Sequence, residues 1–219
     1  MSQRLDLYRN VHKGIRVMLA DLVREAGRAD FTDPAGLEQL RTHAREVFEL
    51  LESHAHTEDR FMMPLLATHD SALAKEFAAA HGEQEALLPS LLAGLDLIDA
   101  AAPDAAERGH TFVLRFSRLA GDLLMHMADE ELEINAALWK SMTDEELGQV
   151  ERELVSSIPP DKMAKYLRYM LPAMNRFERV TFLGHLPPPV FEFVRALAGE
   201  VLTADENARL EQDLGAAVA

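Results

Sequence analysis

Apolar residues recur along the chain at three- and four-residue intervals, and no stretch alternates apolar and polar positions as a half-buried strand would. The first stripe is Leu5, Tyr8, His12, Ile15, Leu19 and Leu22. It predicts a helix over about residues 3–27, ended by Gly27 and the turn-like run 30–34. A second helix is expected over about 34–62, with Leu40, Val47, Leu51, His54, Glu58 and Phe61 inward; Pro64 marks its close or a kink. A third, over about 70–99, turns Phe77, His81, Leu88, Leu92 and Leu95 inward. Pro103 separates it from a fourth over about 104–140, whose inner face carries Phe112, Phe116, Leu119, Leu123, His126, Glu130 and Ile134. The connections are short, so successive helices should be antiparallel. The expected fold class is therefore all-α, an up-down-up-down four-helix bundle over residues 1–140.

After Trp139 the texture changes. Thr143 and Glu146 form a capping-box signature that opens a helix to about residue 157. Pro159 and Pro160 break the chain and start another helix, through about Met174. Three more short helices are expected over about 175–186, 187–198 and 203–214, with Thr203 capping the last and prolines 187–189 enforcing a bend. Residues 141–219 read as a C-terminal extension of short helices.

Composition narrows the function more than the fold. The chain has 219 residues, 48% hydrophobic and 27% charged, enough for a buried core. It has no cysteine, which removes disulfides, thiolate nucleophiles and cysteine-held clusters, and fits a reducing cytoplasm. A net charge of −15 repels polyphosphates, so no nucleic-acid partner is expected. The first residues have no apolar leader core and no apolar run reaches spanning length, so no membrane partner is expected and a cytoplasmic location is the default.

The chemistry lies in four histidines, one on each long helix. His12 is about nine residues into its helix and His54 about eight from the end of its own. His81 is about eleven in, and His126 about twelve to fourteen from the end. With alternating chain direction and a rise of about 1.5 Å per residue, all four fall about 12–20 Å from the same end. Each lies on an apolar stripe, so they form one inward-facing layer. The other histidines fail this test: His43 is about 16 Å along the axis from His54, and His56 is turned to the opposite face. His69 and His110 sit near element starts, and His185 lies in the extension.

Two of the four open the word His-x-x-x-Glu, His54 with Glu58 and His126 with Glu130. A step of four places both side chains on one face, one turn apart. His81 with Glu85 repeats the step, and the same step selects Glu130 over Glu131. Buried carboxylates are costly unless paired or bound to metal, and these stripes carry no Lys or Arg. The expected metal ligands are His12, His54, Glu58, His81, Glu85, His126 and Glu130; no catalytic side chain is assigned. Nitrogen and oxygen donors without thiolate suit iron, manganese or zinc. Seven donors exceed what one four-coordinate zinc takes, so two ions sharing carboxylates explain the count better, with Glu58 and Glu130 the natural bridges.

His12, then His54-x-x-x-Glu58 leading into Pro64, then His81, then His126-x-x-x-Glu130 resembles the hemerythrin-like (HHE cation-binding) family over roughly residues 3–140. The resemblance implies two non-haem iron ions, with the four histidines as terminal ligands and Glu58 and Glu130 bridging. Oxygen-carrying members have a histidine where Glu85 stands, which points away from reversible oxygen carriage and toward sensor and iron-handling members. The function expected is binding or sensing of a small diatomic ligand such as O2 or NO, or of iron. One alternative is a di-iron redox enzyme handling peroxide or NO, or repairing iron centres, although repair members carry an N-terminal cysteine that this chain lacks. The other is an interaction protein with a structural metal and a protein partner at 141–219.

Overall fold

The computed structural model describes residues 4–218, with side chains through residue 216. Among the described residues every regular element is helical. Helices α1 (Arg9–Arg28), α2 (Pro34–His69), α3 (Ser71–Asp96) and α4 (Ala105–Asp129) are the long ones. A π-turn (Glu130–Ile134) joins α4 to α5 (Asn135–Ser141). There follow α6 (Asp144–Ser157), α7 (Pro160–Ala173), α8 (Arg176–Gly184), α9 (Pro188–Val201) and α10 (Ala204–Val218).

Local chemistry sets most of these boundaries. Asp33 precedes Pro34 and accepts the amides of Ala35 and Gly36, so α2 starts on a side-chain cap with proline in the first turn. Asp70 caps α3 in the same way through Ala72 and Leu73. The capping box expected at Thr143 and Glu146 is present, as is a second one at Asn175 and Glu178 that opens α8.

Two boundaries differ from expectation. Helix α1 begins at Arg9 rather than near residue 3, because Asp6 takes the Tyr8 amide in a local turn. Helix α2 runs through Pro64 to His69 instead of closing near residue 62. Pro64 forfeits one backbone hydrogen bond, but Met62, Met63 and Leu66 around it are buried, and their burial holds the helix on course.

By packing, the chain divides into two compact units. The first comprises residues up to Tyr8 and Met18–Ser157. Its core is lined by Leu22, Leu37, Leu40, Val47, Leu50, Leu95 and Phe116, all nearly inaccessible. Within it α2 and α3 run in opposite directions. Arg41 near the start of α2 donates to the carbonyls of Leu95 and Ile98, whereas Asp59 further along meets His81, nearer the start of α3. Helices α3 and α4 are likewise opposed, with Arg115 on Ser90 and His126 against His81. Tyr8, Met62, Leu66, Phe77, Ile134 and Leu138 close an apolar cluster in this unit.

The second unit comprises Arg9–Val17 with the chain from Ile158 onward, so the first two turns of α1 pack with α7–α10. Gly14 lets α1 approach α7 closely: a Cβ there would lie 2.8 Å from the Met170 side chain and 3.1 Å from its backbone nitrogen. Lys13 pairs with Glu178 at 2.5 Å. Buried Arg179 donates to the carbonyls of Leu171 and Pro172 and to Glu206, tying the end of α7 and the start of α10 to α8.

Candidate metal centre

Six polar or charged residues are buried among the described residues, and four of them are His12, Glu58, His81 and Glu130. Polar burial is thus concentrated where the apolar stripes carry histidine and glutamate. The four-residue step sets the first contacts: His54 Nε2 lies 3.1 Å from Glu58 Oε1, and His126 Nε2 lies 3.2 Å from Glu130 Oε1. Helix reversal brings in the rest. His81 on α3 places Nε2 3.3 Å from Glu58 Oε2 on α2 and 3.3 Å from Glu130 Oε1 after α4.

The donors gather in two groups. One atom from each of His12, His54, Glu58 and Glu130 lies within 4.8 Å of the others, and the same holds for His81, His126 and Glu130. Glu130 belongs to both. Glu58 turns its two oxygens to different histidines, Oε1 to His54 and Oε2 to His81. Glu131 is in neither group and is only half-buried.

Glu85 is also in neither group. Its Oε1 lies 3.3 Å from His56 Nε2, with its side chain 25% exposed. Four residues advance a helix by about 40° beyond a full turn. That rotation moves Glu85 from the inner face, where His81 points, into the α2–α3 seam. Among the other histidines, His43 pairs with Glu25, and His185 donates to the Thr181 carbonyl.

Two side chains at the centre were not singled out from the sequence as site residues. Asp59 Oδ1 meets His81 Nδ1 at 2.7 Å, fixing the ring so that Nε2 faces inward. Its neighbour Glu58 drew attention by lying on the inner stripe, whereas Asp59 acts across the helix seam. Tyr8 lies one turn before His12 on the same stripe and reads equally well as core. Burial, then the nearby charges of Glu58 and Glu130, push its phenol well above the ordinary range, so it keeps its proton.

The carboxylates around His81 favour positive charge there. Burial opposes charge on His81, yet hydrogen bonds to Glu130, Glu58 and Asp59 push its imidazole up to about 11. Phe77 and the ring of His81 flank His126, with centroids at 5.4 Å and 4.9 Å. Imidazole and carboxylate donors, with no thiolate in the chain, fit iron, manganese or zinc.

Comparison with known proteins gives one finding. The family model of the hemerythrin HHE cation-binding domain matches residues 3–138. Neither the curated proteins nor the solved structures give a match.

Proposed function

Because the chain belongs to the hemerythrin HHE cation-binding domain family, we propose that the His/Glu layer holds two iron ions and binds a small diatomic molecule, O2 or NO, as a sensing or binding site. In this reading α1–α4 form an up-down-up-down bundle around the layer. His12 and His54 serve one ion, His81 and His126 the other, and Glu58 and Glu130 are shared. The observation that carries the pair is Glu58: its two oxygens face histidines on two different helices, at 3.1 Å and 3.3 Å. One mononuclear site would leave one of those contacts without a role.

Bound iron would supply redox chemistry and open coordination positions, since two imidazoles and a share in two carboxylates do not fill six-coordinate iron. The chain's own residues do the remaining work. Asp59 holds the His81 ring, Tyr8 offers a protonated hydroxyl beside the shared carboxylates, and the buried layer excludes bulk water.

The test is metal content and optical spectrum of protein loaded anaerobically with ferrous iron, before and after O2 or NO. Two irons per chain and a gas-dependent spectrum are expected, together with a melting temperature that rises with free metal. At a hundredfold excess over the dissociation constant the gain is about 2.7 kcal/mol. Clearly fewer than two irons, with no change on His54→Ala, would overturn the reading.

A further inference from the structure

On the outer side of the α3–α4 seam lies a groove of about 250 Å³ whose lining reaches His126. Its charged residues are all acidic: Glu76 from α3, Asp122 and Asp129 from α4, and Glu133 from the π-turn. No Lys or Arg lines it. None of these four carboxylates has a hydrogen bond or ion pair among the described residues. Elsewhere in the chain acids commonly are paired, as Glu178 is with Lys13, Asp213 with Arg176 and Glu211 with Arg195. Four uncompensated like charges in one concavity repel each other and concentrate a negative potential there.

The groove also leads somewhere. His126 lines it with a side chain nine-tenths buried. Its Nε2 is buried and faces Glu130 Oε1 at 3.2 Å, so the ring spans from the groove to the donor layer. Asp122, Asp129 and Glu133 are four, three and seven residues from His126 on the same winding, or about 6, 4.5 and 10 Å along the axis. Those spacings lie within the Debye length of about 10 Å at 0.1 M salt, so all three act on an ion approaching the ring. The π-turn adds one residue to its turn, which allows Glu130 to face inward while Glu133 stays on the groove.

We propose that this groove is the loading route for the metal centre: divalent cations are drawn to its carboxylates and handed to His126, the one donor of the centre whose ring also lines the groove. The inference rests on the two-metal reading above and adds a direction to it. Metal enters between α3 and α4, and the groove carboxylates set the rate of arrival without setting the affinity of the finished site.

The experiment is stopped-flow uptake of Co²⁺ by metal-free protein, followed by visible absorbance, with final stoichiometry measured on the same samples. The variant Glu76→Gln/Asp122→Asn/Glu133→Gln is compared with Glu52→Gln/Glu145→Gln/Glu192→Gln, which removes the same charge from exposed positions elsewhere. The groove variant should load about tenfold more slowly at low salt. It should reach the same stoichiometry, and lose the difference at high salt. Equal rates for both variants, with full stoichiometry, would overturn the route and leave the metal centre standing. If the unaltered protein takes up no metal, the two-metal reading fails and takes the route with it.

Discussion

Glu58 and Asp59 are neighbours in the chain that serve His81 from opposite sides, one through Nε2 and the other through Nδ1. A histidine held at both nitrogens has its ring plane set before any metal arrives. Asp59→Asn keeps the shape but weakens the acceptor. Metal affinity is expected to fall about 10–100-fold, with helix content by circular dichroism unchanged; an unaltered affinity would show that Asp59 is only an ion-pair partner. Six of the seven side chains assigned from the sequence lie in the two donor groups, because a histidine or glutamate on an apolar stripe has little reason to be there unless something pairs with it. Glu85 lies outside both groups, since a four-residue step fixes a face only to within about 40°, and at a seam that rotation decides which helix a side chain meets. Asp59 was illegible for the complementary reason: its role is made by a contact between α2 and α3 rather than by spacing within α2.

Elements show the same division between local and distant causes. The caps at Thr143 and Thr203 could be read directly, since the groups they satisfy lie within three residues. The passage of α2 through Pro64 and the π-turn at Glu130 could not, since both are held by tertiary packing. Asn135, almost fully buried, donates from its side chain to Asp6 and to the Glu131 carbonyl, pinning the wide turn from outside the helix. A close approach of another kind sets Gly109 on α4, where a Cβ would overlap the ring of Phe31 in the α1–α2 connection. Gly109→Ala should therefore cost about 1–3 kcal/mol by denaturant unfolding, although alanine is the better helix former. A stabilised variant would show that Phe31 moves aside freely.

The second unit carries its own acid sensitivity. Hydrogen bonds from Thr203, then Arg179, lower the Glu206 carboxyl from 4.5 to about 2. A carboxylate depressed in the folded state stabilises above its unfolded value and loses that contribution as pH falls through the folded one. The advantage of the unaltered chain over Glu206→Gln should thus be full above about pH 5 and vanish toward pH 2. Melting temperatures of the two proteins compared across that range would test it, and a constant difference would refute the assignment.

At the scale of the molecule, the four long helices and the family were legible because hydrophobic period and ligand order are carried by the chain itself. The partition into units was not, because it runs through α1. The segment that bears His12 shares its packing with helices some 150 residues later, through Gly14 against Met170 and Lys13 against Glu178. In practical terms the centre cannot be cut out along the line where the family likeness stops. A chain shortened to end at Ser157 keeps every proposed ligand, yet it bares the flank of the helix that presents the first of them. Such a fragment should bind metal more weakly than the whole chain and show faster hydrogen exchange over residues 9–17. Any effort to transplant this centre, or to trim it for use elsewhere, has to carry its last sixty residues along as part of the site's foundation.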